Sequence, residues 1–190
     1  MSDVDLIELN DSLIDSQYLT FIISDEEFAV PIMRVKEIIE YQSLTQVPMV
    51  PKFIAGAVNL RGAVVPVINL AIKFGMQPRP VNRRSCIVIM EIQLADELVI
   101  LGILVDKVLQ VFDIPDENIE AAPSFGAQIK TEFIQGMARV EEQFIIILSI
   151  NNVLSLNEIS VLGDIQDENN VANDKSLAET TSKNNEMSAS

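Results

Sequence analysis

The sequence predicts a mainly-β body made from one unit used twice, with only short helices between its strands. Three observations predict it. Residues 53–58 and 63–67 are β-branched runs separated by Asn59-Leu60-Arg61-Gly62, where Asn and Gly accept the left-handed backbone that a hairpin turn requires. Eighty residues later, Phe133-Ile134-Gln135-Gly136 repeats the pattern of Phe53-Ile54-Ala55-Gly56, and residues 144–148 stand where 64–68 stood. Upstream, Val35-Lys36-Glu37-Ile38 has a weaker counterpart in Val108-Leu109-Gln110-Val111. One copy alone is too small to bury a good core, so the two are expected to pack about a pseudo-two-fold axis.

Taken in order, residues 18–23 read as a strand, 24–27 as a turn and 28–30 as the returning strand. Pro31 suits the first turn of a short helix, with Ile32, Val35, Ile38 and Ile39 at spacings near 3.6. Residues 42–52, with Pro48 and Pro51, form an extended connection to the central hairpin. Asn69 is placed to cap a short helix over 70–74 that ends at Gly75. Residues 76–84 are the expected junction between copies; their Arg79, Arg83 and Arg84 read as a solvated linker or as a docking surface for an acidic partner.

In the second half, residues 86–92 and 98–105 are strands joined by a turn, and 108–112 continue the pattern after Asp106-Lys107. Continuous apolar runs at 87–90 and 144–148 predict strands buried on both faces. Residues 114–130 form a long connection with a helical turn near 116–119. The second-copy hairpin spans 133–148 and turns near 140–143. Asn151 or Asn152 is expected to cap a last short helix.

The composition supports a core and removes most chemistry. Of 190 residues, 48% are hydrophobic with no Trp, so Val, Ile and Leu must fill the interior. The net charge of −15 is concentrated at the ends, where residues 1–16 and 159–190 read as acidic, disordered tails. That balance argues against nucleic acid. There is no histidine, and the lone Cys86 lies in an apolar run, where a thiol acts as a small hydrophobe. Nucleophilic Cys–His chemistry and zinc binding therefore lack their ligands, and no glycine-rich phosphate loop is present. No catalytic residue, metal or cofactor is expected. No secretory signal or membrane-length apolar run is visible, so a soluble cytoplasmic protein is expected. A β-rich chain without a reaction centre reads as a binding module, and Arg61 at the turn either stays in water or meets a partner's carboxylate.

Asn59-Leu60-Arg61-Gly62 followed by Val64-Val65-Pro66-Val67-Ile68-Asn69-Leu70 closely resembles the motif of CheW, the coupling-protein family of bacterial chemotaxis. The resemblance extends through Phe28-Ala29-Val30-Pro31-Ile32, Val35-Lys36-Glu37-Ile38, Pro51-Lys52-Phe53-Ile54-Ala55-Gly56, Gly102-Ile103-Leu104-Val105-Asp106 and Phe133-Ile134-Gln135-Gly136, setting a domain at 17–158. It implies two intertwined, five-stranded SH3-like β-barrel subdomains with a junction near 75–85. It also implies a non-catalytic adaptor, recruited to receptor arrays at the inner membrane. Its partners are the cytoplasmic tip of methyl-accepting chemoreceptors and the regulatory domain of a CheA-type histidine kinase. Carried over by position, Val35, Glu37, Gly56, Asn59, Leu60, Arg61, Gly62 and Val64 form the protein-binding surface, with Arg61 and Glu37 partly pairing. The kinase-facing edge is assigned to the other subdomain.

Three features depart from the family pattern: Asn69 stands where an acidic residue is common, Ala71 stands where a basic one is common, and the acidic C-terminal tail is long. No receiver domain is read in the sequence, so the single-domain adaptor is expected and not its receiver-fused relative CheV. Two other readings stay open: an adaptor of an array controlling twitching motility, and a small-ligand-binding β-barrel, which would need a polar-lined cavity.

Overall fold

The computed structural model describes residues 16–94, 97–122, 129–155, 157, 158, 160, 161, 163 and 164. Most of both acidic tails, and Pro123 and Gly126 of the long connection, lie outside the described residues. In chain order the strands are β1 (Gln17–Ile23), β2 (Glu26–Pro31), β3 (Val35–Glu40), β4 (Ile54–Leu60), β5 (Ala63–Asn69), β6 (Cys86–Leu94), β7 (Glu97–Val105), β8 (Lys107–Asp113), β9 (Ile119–Glu120), β10 (Ile134–Val140) and β11 (Gln143–Leu148). Two one-turn helices, α1 (Leu70–Lys73) and α2 (Ile150–Val153), follow β5 and β11. The short 3-10 turns Ile32–Arg34, Asp116–Asn118 and Thr131–Phe133 precede β3, β9 and β10.

Two local expectations change. Only Ile32–Arg34 is helical after Pro31, and Val35–Glu40 is extended. Val, Ile and Ile at 35, 38 and 39 are stiff at χ1 and sit better on a pleated surface, and β3 gains an antiparallel ladder with β6. The helix that follows β11 starts after Ser149, ahead of both Asn151 and Asn152, without a side-chain cap bond. The Asn69 cap is as expected: its Oδ1 accepts from the Ile72 N–H at 3.3 Å.

The strands form two sheets, in the orders β8-β1-β2-β11-β10-β9 and β3-β6-β7-β5-β4. The two orders superpose when β8 is matched to β3, β1–β2 to β6–β7, β11 to β5 and β10 to β4. The sequence repeat is thus a structural one, and the extra two-residue β9 makes the first sheet six-stranded. Each repeat is split between the sheets. Hairpin β1–β2 joins the sheet built from the second repeat, and hairpin β6–β7 joins the sheet built from the first. The seams of this exchange are parallel contacts: Ile146 and Ile147 of β11 against Phe28 and Ala29 of β2, and Val67 to Asn69 of β5 against Gly102 to Leu104 of β7. Neither half of the chain can complete its own sheet, so the two SH3-like subdomains fold as one body.

Both copies carry a bulge at matching glycines, between Ile54 and Gly56 and between Ile134 and Gly136. A Cβ on Gly56, at φ +148°, would stand 2.6 Å from the Thr45 carbonyl oxygen. On Gly136 it would stand 2.4 Å from Ile119 Cγ2 and 2.9 Å from the Glu120 oxygen. The missing side chain lets a crossing strand sit on the hairpin: Thr45 bridges Ala57, and β9 pairs Met137 and Ala138.

Burial explains the continuous apolar runs. Tyr18, Ala29, Ala138, Ile145 and Ile147 fill the six-stranded barrel, and Val58, Val65, Val67, Ile87 and Ile89 fill the five-stranded one. The alternate residues, including Phe28, Val88, Met90 and Ile103, meet in a third cluster shared by both sheets. Strands such as β6 are therefore apolar on both faces. Four rings run in file through the shared cluster, with centroids 6.5 Å apart for Phe21–Phe28, 6.0 Å for Phe28–Phe74 and 5.5 Å for Phe74–Phe133.

Candidate functional site

The β4–β5 hairpin turns through Arg61 and Gly62 at φ 52° and 91°. Both values are positive, as a two-residue turn matched to strand twist demands. Asn59 fixes it by accepting the Gly62 N–H on its Oδ1 at 2.9 Å. The turn projects Arg61 over edge strand β3, which is itself bulged between Val35 and Glu37. There the Arg61 Nη2 donates to Glu37 Oε2 at 2.9 Å. The guanidinium stays largely in water, its side chain 79% exposed against 25% for Glu37. The neighbouring bulge residue, Lys36, pairs with Glu91 of β6 at 2.7 Å. Two ion pairs thus tie the rim of the five-stranded barrel.

The eight sequence-predicted residues fall into three groups. Asn59, Arg61 and Gly62 form the exposed turn, with Glu37 brought to it across the fold. Val35 and Val64 are half-buried and pack against the shared cluster, which sets them along the seam between the barrels. Leu60 packs into the five-stranded interior, and Gly56 lies back along β4 under Thr45, where its part is to admit the crossing strand. Lys36 and Glu91 were missed as members of the rim. Reading Val35–Glu40 as a strand would have put the Lys36 and Glu37 charges on the edge beside the turn.

Elsewhere the polar groups serve the fold. Arg79 pairs with Asp25 at the β1–β2 turn, and Ser24 Oγ donates to the Gln77 carbonyl at 2.7 Å, so the junction between copies is strapped down. The Cys86 thiol is pushed up by burial and by the Glu40 carboxylate, which a backbone bond from Val108 only partly offsets. It is therefore held as a neutral thiol, the unreactive form. Among the described residues no group of three His, Cys, Asp or Glu side chains stands where it could hold a metal ion. No helix among them is long and apolar enough to cross a membrane.

At the seam, Lys73 of α1 lies 4.4 Å from the Phe53 ring centroid and pairs with Glu158. Glu158 Oε2 also accepts the Ser155 N–H at 2.7 Å, while the Ser155 hydroxyl lies 3.4 Å from the Glu158 N–H. This reciprocal arrangement is a capping box, and the described residues 157, 158, 160, 161, 163 and 164 that follow it are helical.

Comparison with known proteins agrees with this geometry. The CheW-like domain family matches residues 17–158. The chemotaxis protein CheW of Klebsiella aerogenes is 30% identical over 152 residues, covering 80% of this chain and 89% of that protein. The probable chemotaxis protein CheW of Rhizobium etli is 31% identical over 144 residues, covering 76% and 90%. The crystal structure of the scaffolding protein TtCheW from Thermoanaerobacter tengcongensis superposes with a TM-score of 0.68 at 31% identity, covering 76% of this chain and 90% of that one. A doubled barrel with exchanged hairpins, an Asn-Leu-Arg-Gly turn and a match over most of the sequence place this chain in the CheW family.

Proposed function

We propose that the chain is a non-catalytic adaptor that couples methyl-accepting chemoreceptors to a CheA-type histidine kinase in the cytoplasm, at receptor arrays. The observation that carries this reading is the Arg61–Glu37 pair on the rim, with Val35 and Val64 beside it on the seam. A receptor tip is a helical hairpin, and a helix laid in a groove needs an apolar stripe plus a few oriented charges. Val35 and Val64 supply the stripe, and Arg61 and Glu37 set the register. Val35, Glu37, Asn59, Leu60, Arg61, Gly62 and Val64 are the proposed receptor-facing set, and Gly56 shapes the hairpin that carries them. The fold supports a scaffold over a small-ligand barrel because both barrel interiors are occupied by packed apolar side chains, Tyr18, Ala29, Ile114, Ala138, Ile145 and Ile147 in one and Val58, Val65, Val67, Ile87 and Ile89 in the other.

The test is co-sedimentation with receptor-containing membranes and kinase. The chain should pellet with both and raise kinase autophosphorylation in the receptor-bound fraction, and Arg61→Ala should lower both signals. A chain that pellets with neither partner would end the proposal.

A further inference from the structure

The segment before Ser16 joins the fold at a defined place. The Ser16 carbonyl accepts the Ile114 N–H at 2.8 Å, Gln17 stands opposite Asp113, and Tyr18 stands opposite Pro31. The chain therefore enters between the last residue of β8 and the Ile32–Arg34 turn that leads into β3. β3 and β8 are the edge strands that the duplication matches. They flank one opening of the seam: the Cys86 thiol, opposite Glu40 at the end of β3, meets the backbone of Val108 at the start of β8. Ile38 pairs with Val88 and Val111 with Leu19, and both partners lie in the shared cluster, so Ile38 and Val111 face the seam. They are nevertheless 42% and 45% exposed, and Met33, beside the entry point, is 62% exposed. Arg34 in the same turn has no ion-pair partner among the described residues.

The sequence of the entering segment suits that opening. Ser2-Asp3-Val4-Asp5 has the form of a helix start. Leu6, Leu9 and Leu13 recur at helical spacing, with Ile7 and Ile14 one position on, while Asp5, Glu8, Asp11 and Asp15 fall on the other side. A helix this short is marginal in water and forms only against an apolar surface. Over residues 3–15 it would be about 20 Å long, which matches the six residues of β3 at about 3.3 Å each. We propose that residues 3–15 fold back as an amphipathic helix on the seam face of Met33, Ile38 and Val111, and that a receptor helix must displace them. The displacement rests on the receptor-facing reading of Val35 and Glu37, which share β3. The occupant is this segment because its tether ends at the opening, holding it there at an effective concentration of about a millimolar. The acidic side then faces water, clear of Glu40, with Asp15 on the Arg34 side.

The experiment is methyl and amide NMR on the full chain carrying a nitroxide at Ser2→Cys, with Cys86→Ala to keep the label unique. Docking should broaden Ile38 and Val111, and combining Leu6→Ser, Leu9→Ser and Leu13→Ser should restore them. The same triple change in the otherwise natural chain, with Cys86 in place and no label, should shift amides at 33–40 and 108–113 and leave the rest of the fold alone. Replacing Asp5 and Glu8 by Asn and Gln should not undock the segment, since the contact is made by its apolar side. A receptor-tip peptide should bind the triple variant about threefold or more tightly than it binds the natural chain. Broadening that is absent, or that persists in the triple variant, would overturn the docking. Docking with equal tip affinity in both chains would overturn the displacement. A tip that binds neither chain would count against the receptor reading alone, because the nitroxide reports docking without it.

Discussion

Arg61 and Glu37, 24 positions apart in sequence, meet at 2.9 Å because the β4–β5 hairpin tip leans over the bulge of β3. The pair is largely solvated, so its worth to folding is small and its worth to recognition lies in orientation.

Arg61→Ala should therefore leave the melting temperature nearly unchanged, with a cost of about 0–1 kcal/mol. Binding to a receptor tip should weaken by roughly 1–3 kcal/mol if the guanidinium makes a charge-assisted hydrogen bond there. Calorimetry of binding and of unfolding on the same variant checks both. A large loss of stability with intact binding would reverse the assignment.

Phe133→Ala should do the opposite. Its ring is buried at the end of the aromatic file, 5.5 Å from Phe74, with Lys73 5.8 Å from its centroid. Truncation should cost about 3–5 kcal/mol, read from the urea midpoint.

Gly56→Ala should destabilise by about 1–3 kcal/mol, since a methyl there meets the Thr45 carbonyl and the backbone is at positive φ. Gly136→Ala faces a similar clash but no unfavourable φ, so its loss should be the smaller of the two. Equal urea midpoints for wild type and both variants would remove the argument that these glycines admit the crossing strands.

Glu158 gives a pH dependence. Burial raises its carboxyl, but the Lys73 ammonium and the Ser155 donors outweigh that and hold it below the ordinary 4.5. A carboxylate lowered in the folded chain stabilises above its unfolded pKa and loses that contribution as pH falls through the folded value. Glu158→Gln should thus melt below wild type near neutrality, and the gap should close as pH drops below about 4.5. A gap that stays constant into acid would show that the pair contributes nothing through charge. Ser155→Ala, which breaks the capping box, should cost about 1 kcal/mol by the same melting assay.

Much of the fold was legible because it rests on local pattern. The β-branched runs, the Asn-Leu-Arg-Gly turn, the Asn69 cap and the repeat of Phe-Ile-x-Gly are short-range signals, and each sits where the pattern placed it. β3 was misread because six residues with charges at both phases satisfy a helical and an extended period about equally, and only its pairing with β6 decides between them. The two-residue β9 carries no periodicity at all; it is a strand because Gly136 lets it approach β10. The Lys36–Glu91 pair was invisible for the same reason, since its partners lie on different strands.

By itself, then, the sequence determined a doubled β chain with an apolar interior, no histidine chemistry and an exposed arginine turn, because these follow from composition and from neighbours along the backbone. The tertiary structure alone decided that each repeat surrenders a hairpin to the other sheet, that Glu37 faces Arg61, and that Lys36 of β3 reaches Glu91 of β6. Those outcomes depend on which distant strands pair, and strand pairing is settled by burying both faces of β2, β6 and β7 at once, a condition that no local stretch can express.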